Sequence, residues 1–409
     1  MTGTSIAQAI PIAISPILTR IYTPEEFGAF ALYMSLATTL SVIATGRYEL
    51  AIMLPKKDDD AANIVALSII FAFIVSFLSF LIIHIFNAQI TLILGNPKIS
   101  LWLYFIPITV LLTGIYQSLN YWTSRKKQYK HLATNKVLQS TTIASTNLGM
   151  GVTGFGNSGL ILGQLSGLSI ATIMMGKLLW KEDSDRLKKI KRIKMFALLK
   201  KYSDFPKINM FQAFINDFKN LIVNILLTKY YNSFILGQFY MVNKILLLPS
   251  GLIGSSISQV LYKDISDKYN SKEDFSKDIL YVMIKLFLFA LIPFFIIVLF
   301  GKEIFGFILG ENWEIAGDLA SSFALYILFH FVASPISIIP FIVQKQGLAF
   351  YWNLGGTLIY IFSISMGGYL FHNLPDALLL TSIIMSIYFF FYFMWIYNIS
   401  KKFKKYINA

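Results

Sequence analysis

Stretches of about 20 apolar residues, long enough for a helix to cross a hydrocarbon core of roughly 30 Å, recur along the whole of this chain with short polar breaks between them. Of its 409 residues, 56% are hydrophobic and 14% charged, too apolar a balance for a surface that faces water. The runs are continuous rather than alternating, which excludes a membrane β-barrel. In hydrocarbon every backbone amide must be satisfied within its own segment, so each run is read as a helix. The expected fold class is an all-α polytopic membrane protein, with about 12 transmembrane helices in two six-helix lobes around a central cleft. The spans are read at 2–19, 27–45, 62–86, 99–119, 136–156, 158–180, 208–228, 235–260, 279–300, 318–343, 348–370 and 375–398. The first run is read as a retained span, since no basic leader precedes it.

Charge gives this bundle a direction. Twenty-seven of the 35 Lys and Arg fall in the segments on one side, and four (Arg20, Lys98, Lys229 and Lys302) fall on the other. By the positive-inside rule the basic side and both termini are expected in the cytoplasm, in a bacterial inner membrane. Topology thereby accounts for the net charge of +14 and removes the main reason to expect nucleic acid as a partner. Cysteine is absent and the four histidines (His84, His131, His330, His372) are scattered, so no metal site, disulfide or cofactor is expected.

An internal repeat organises the spans. Leu18-Thr19-Arg20-Ile21-Tyr22 is echoed by Leu227-Thr228-Lys229-Tyr230-Tyr231, and Gly28-Ala29-Phe30 by Gly237-Gln238-Phe239, both at an offset of 209. Ile93-Leu94-Gly95-Asn96 is echoed by Ile308-Leu309-Gly310-Glu311 at an offset of 215. Six spans per half make the repeats parallel, an architecture found in transporters. The expected units are 1–180, a basic linker at 181–207, and 208–409. In the linker, Leu187, Ile190, Ile193, Ala197 and Leu198 share one face and five basic residues crowd the rest. It is read as an amphipathic helix lying on anionic inner-leaflet lipids.

Polar groups inside the spans mark the expected site. In span seven, Asn209, Gln212, Asn216, Lys219, Asn220 and Asn224, with Asp217, fall within about 160° of arc. Such a stripe cannot face lipid. At the repeat offset, Gln8, Pro11, Ser15 and Thr19 of span one fall opposite it, so spans one and seven are expected to line the cleft. Lys244 has no acid in its own span and is a candidate for holding a phosphate or pyrophosphate. His330 is read either as a proton carrier or as a hydrogen-bonded core histidine. Gly149-Met-Gly-Val-Thr-Gly154 matches the dinucleotide fingerprint only in letters and is read as a turn; Gly159, Gly163 and Gly167 suggest close helix packing; Asp60 is placed as an N-cap.

Leu-Thr-Arg-Ile-Tyr-Thr-Pro-Glu-Glu-Phe-Gly-Ala-Phe at 18–30 resembles the polysaccharide biosynthesis flippases of the multidrug/oligosaccharidyl-lipid/polysaccharide exporter superfamily. The likeness continues in Arg47-Tyr48-Glu49-Leu50-Ala51 and Leu309-Gly310-Glu311-Asn312-Trp313. The resemblance implies a transporter, not an enzyme. Its substrate would be an undecaprenyl-pyrophosphate-linked oligosaccharide for O-antigen, lipopolysaccharide or capsule, moved outward by alternating access. A coupling ion (H+ or Na+), a polysaccharide polymerase and glycosyltransferases would be its partners. Arg47 and Glu49 match the family motif, whereas Asp217, Lys219 and Lys244 are read from their place in the spans. A drug/cation antiporter of the same superfamily is the alternative. A membrane-embedded glycan polymerase or ligase fits less well, because the longest outward loop is short.

Overall fold

The structure, a computed structural model, describes residues 2–407. Among the described residues every regular element is a helix. Twelve long helices coincide with the expected spans. They are α1 (Thr2–Ala13, continued after a break by Ser15–Ile21), α2 (Pro24–Ile43), α3 (Asp58–Leu94), α4 (Ile106–Arg125), α5 (Tyr129–Val152) and α6 (Asn157–Leu187). The second set is α7 (Met210–Tyr230), α8 (Ser233–Asn270), α9 (Ser276–Leu309), α10 (Glu314–Ile336), α11 (Gln346–Leu370) and α12 (Leu374–Ile407). Seven of these are long and apolar enough to cross a membrane, and α4 joins them if its bent lead-in, Pro97–Leu103, belongs to the same span. The remaining four, α1, α5, α7 and α8, are shorter in their apolar part or more polar. Three of those four carry the polar residues singled out as a site.

Cα packing divides the chain into two compact units, Met1–Gly237 and Gln238–Ala409. In the first, α3 packs on α4, α4 on α6 and α5 on α6, and α7 joins this unit by packing on α2. In the second, α9 packs on α10, α10 on α12 and α11 on α12. Both units thus use one packing scheme. The third helix of each scheme ends alike: α3 is kinked at Phe86 and α9 at Phe300, each is stopped by a glycine at positive φ (Gly95, 67°; Gly310, 105°), and each continues into a 3-10 turn, Pro97–Ile99 or Glu311–Trp313. Only glycine adopts such a stop cheaply.

Several expected boundaries move. The polar stretches read as loops are partly helix, since α3 begins at Asp58 and α8 runs on to Asn270. Asp60 is not an N-cap: Lys57 holds that place, and Asp58, Asp59 and Asp60 form the first turn of α3, where carboxylates oppose the positive end of the helix dipole. Gly149 and Gly151 lie inside α5, and the turn is made by Gly154 and Gly156 at positive φ. Gly163 and Gly167 pack as read, because a Cβ there would lie 1.8 Å from Asn147 Oδ1 and 2.3 Å from Ile143 Cγ1.

The linker is not one amphipathic helix. α6 extends to Leu187, and a separate ten-residue helix, Arg192–Lys201, packs on α3. Its apolar residues split: Leu198 is buried in a cluster with Tyr48, Ile52 and Trp122, while Ile193 and Phe196 are exposed. Ion pairs dock it. Asp58 holds Arg125 and Lys126, Asp59 holds Arg186 and Lys189, and Asp60 holds Lys194. Burial disfavours the Lys126 ammonium, but hydrogen bonds to Asp58 and Asp183 outweigh it and hold its pKa above the ordinary lysine value.

Candidate functional site

The family-like segment at 18–30 is first a folding device. Thr23 caps α2 in a reciprocal capping box with Glu26, and Pro24 takes the first helical position, where no N–H is required. Tyr22 is buried, its hydroxyl donating to the Asn147 carbonyl at 2.6 Å, and its ring meets Phe27 edge-on. Gly28 then lets two helix backbones touch. A Cβ on Gly28 would lie 1.9 Å from the Ser233 carbonyl oxygen, and one on Gly237 would lie 1.8 Å from the Pro24 carbonyl oxygen. Adding 209 converts Gly28 to Gly237 and Pro24 to Ser233, so the two contacts exchange with one another. The sequence echo is therefore also a symmetric crossing of the starts of α2 and α8.

The charged part of the site grows from the end of α2. Gly46 and Arg47 are both left-handed (φ 57° and 60°) and turn the chain into the short helix Tyr48–Ala51. Arginine in that conformation costs on the order of 1 kcal/mol or more, a strain usually kept for a purpose. Glu49 is fully buried; it accepts a hydrogen bond from the Thr45 hydroxyl and pairs with Arg47 at 3.3 Å. Arg47 Nε is buried without a hydrogen-bond partner. The charges of Arg47 and Lys219 act on Asp217, and the turn Phe205–Asn209 that leads into α7 packs on Tyr48–Ala51. Four of the expected residues, Arg47, Glu49, Asp217 and Lys219, thus belong to one electrostatic neighbourhood in the first unit. Tyr121 of α4 also feels Arg47 and Glu49. Neither Tyr121 nor Thr45 stands out in sequence, because each lies among other hydroxyl residues, Tyr116, Ser118 and Thr123 or Thr38, Thr39 and Ser41, that nothing local distinguishes from it.

The rest of the polar stripe on α7 is used unevenly. Asn224 donates to the Ala31 carbonyl at 3.4 Å, a structural bond to α2. Asn216 and Asn220 are exposed. An exposed amide in the middle of a span has no place against lipid, where it would cost on the order of 1 kcal/mol or more. On α1, Gln8 Oε1 is buried without a hydrogen-bond partner. Ser15 and Thr19, expected to line the cleft, are buried, and their hydroxyls donate to carbonyls of their own chain segment, Pro11 O (2.6 Å) and Ser15 O (3.0 Å).

Lys244 and His330 lie in the second unit. Lys244 is half-buried on α8 and, among the described residues, has no ion pair or hydrogen bond. His330 sits on α10 in an aromatic cluster, with its ring 5.6 Å from that of Tyr326 and 6.3 Å from that of Phe389. Lys285 has its partner in the Tyr281 ring, 4.3 Å away. Among the described residues no group of three or more His, Asp or Glu could hold a metal ion.

Comparison with solved structures shows the fold. A multidrug resistance MATE family transporter of the MOP superfamily, in an inward-facing conformation, superposes with a TM-score of 0.78 at 12% identity, covering 99% of this chain and 95% of that one. The lipid II flippase MurJ, in an inward closed conformation, superposes with a TM-score of 0.73 at 14% identity, covering 99% and 90%. No curated protein matches in sequence. The family described as polysaccharide biosynthesis protein matches residues 17–317, the stretch that includes the capped start of α2, the Arg47 turn and the Gly310 stop. The chain is therefore a multi-pass membrane protein with a transporter fold, and it belongs to the polysaccharide biosynthesis protein family.

Proposed function

We propose that this protein is a flippase that moves undecaprenyl-pyrophosphate-linked oligosaccharide repeat units, for O-antigen or capsule, from the cytoplasmic to the periplasmic leaflet of a bacterial inner membrane. One conjunction carries the reading: membership of a polysaccharide biosynthesis family in a chain whose whole length has the fold of transporters and flippases. The basic side faces the cytoplasm, and the repeat halves 1–180 and 208–409 work by alternating access. Moving a glycan through hydrocarbon strips water from many hydroxyls, and Asn216, Asn220 and Gln8 replace those hydrogen bonds, with Asn224 able to join them only by giving up its bond to the Ala31 carbonyl. Lys244, Lys219 and Arg47 answer the diphosphate, Asp217 and Glu49 hold the cations in place, and H+ or Na+ drives the cycle, with His330 as a proton carrier. A polymerase and glycosyltransferases work on either side of this step.

The test is deletion of the gene in a strain without a second flippase. Lipid-linked repeat units should accumulate on the cytoplasmic face and surface polysaccharide should disappear; unchanged surface glycan would sink the proposal. The likeness to a multidrug MATE transporter favours a second reading, drug/cation antiport. That reading predicts drug sensitivity in the same strain with normal glycan, and the cations at Arg47, Lys219 and Lys244 speak against a cavity made for cations.

A further inference from the structure

On the linker's side of the first unit, the start of α5 and the end of α6 enclose a small cavity of about 230 Å³ lined by His131, Met174, Met175, Lys177, Leu178 and Lys181. Its floor is apolar: Met175 is buried, and Met174 and Leu178 are half-buried. Its rim is cationic. Lys177 and Lys181 stand one helical turn apart on the same face of α6, and His131 stands across from them on α5. Among the described residues none of the three has an ion pair or hydrogen bond.

Among the described residues no carboxylate forms an ion pair with Lys177 or Lys181, and the nearby ones have other partners. Glu182 accepts from Gln128, Asp183 holds Trp122 at 3.0 Å and Lys126 at 3.2 Å, and Asp185 holds Lys188 at 2.8 Å. The surroundings mark a membrane surface. Trp180 and Tyr129 flank the cavity and are strongly exposed, as aromatic residues are where hydrocarbon meets headgroups. Further into the span, Ile173 and Ile170 continue the exposed face of α6, and Leu138 lies two turns beyond His131 on α5.

We infer that this cavity binds an anionic phospholipid of the leaflet on the linker's side, with the phosphodiester between Lys177, Lys181 and His131 and an acyl chain along Met174, Ile173 and Ile170. A soluble anion would find cations but no reason for the Met and Leu floor. A zwitterionic lipid would find the floor but carries no net charge to match the rim. This site is separate from the transport reading, since its readout is lipid retention and not glycan movement.

The experiment is competition in native mass spectrometry. The purified full-length protein is offered equal amounts of phosphatidylglycerol and phosphatidylcholine. The unmodified protein should retain phosphatidylglycerol selectively. The double variant Lys177→Ala with Lys181→Ala should lower that selectivity about tenfold, and Lys177→Arg with Lys181→Arg should keep it. Both lysines are exposed, so folding is not at stake; a variant Lys200→Ala with Lys201→Ala in the linker helix reports on general charge. Equal loss in the linker variant, undiminished selectivity in the first double variant, or displacement of the lipid by millimolar inorganic phosphate would each overturn the assignment.

Discussion

Asp58, Asp59 and Asp60 at the start of α3 and Lys244 within α8 treat charge in opposite ways. At the first place three carboxylates are matched by five cations from three segments, and the pairs sit partly in solvent at 2.6–3.3 Å. At the second, a single ammonium is half-buried with no partner among the described residues. Partly exposed pairs contribute roughly 0–1 kcal/mol each and work as a fastening. A lone cation inside a span costs a few kcal/mol and stabilises nothing by itself. The contrast teaches that the acidic triad fastens α3 to the end of α4 and to the linker, whereas Lys244 is the cation that the proposed function assigns to an incoming anion.

The sharpest way to break that contrast is at Lys244. Lys244→Ala or Lys244→Glu should reduce surface polysaccharide by a hundredfold or more, equivalent to about 2.7 kcal/mol in transport rate, with the membrane level of the protein unchanged. Lys244→Arg should be partly active because the charge is kept. If adding Asp217→Ala to Lys244→Ala restores transport, the two are an internal pair and the anion-binding role fails.

A second expectation concerns packing rather than charge. Gly28→Ala and Gly237→Ala should each destabilise the protein by about 1–3 kcal/mol, because the new methyl meets a backbone oxygen that cannot swing away. Gly149→Ala, inside α5 with nothing within 4 Å, should instead be neutral or stabilise by up to about 1 kcal/mol. Thermal unfolding in detergent reads both, and equal behaviour of Gly28 and Gly149 would refute the symmetric crossing.

The smallest effect belongs to the acidic triad. Asp59→Ala removes the partner of Arg186 and Lys189, yet should leave thermal unfolding nearly unchanged, because solvent screens so exposed a pair. Faster proteolysis between 188 and 201, enhanced further by salt, should accompany surface polysaccharide within about twofold of normal. A large transport defect from Asp59→Ala would erase the distinction between fastening and site.

The positions of the membrane helices were legible because hydrocarbon imposes one rule on every span: enough apolar residues to cross and no backbone amide left unsatisfied. The repeat was legible for a related reason, since glycine at 28 and 237 marks a crossing too close for a side chain, and glycine at 95 and 310 marks positive φ that other residues adopt only at a cost. What could not be read was where each polar group would find its partner. Nothing in the spacing of Ser15 and Thr19 says that they bond back to their own helix, or that Asp59 and Asp60 would reach 120 residues and more along the chain to hold the linker while Asp58 pairs with the end of α4. Local pattern determined which segments enter the membrane. Tertiary structure alone decided which charges are answered within the chain, at Asp58 to Asp60 and at Glu49, and which, at Lys244 and around Lys177 and Lys181, have no partner among the described residues, because pairing depends on distances between helices that sequence order does not encode.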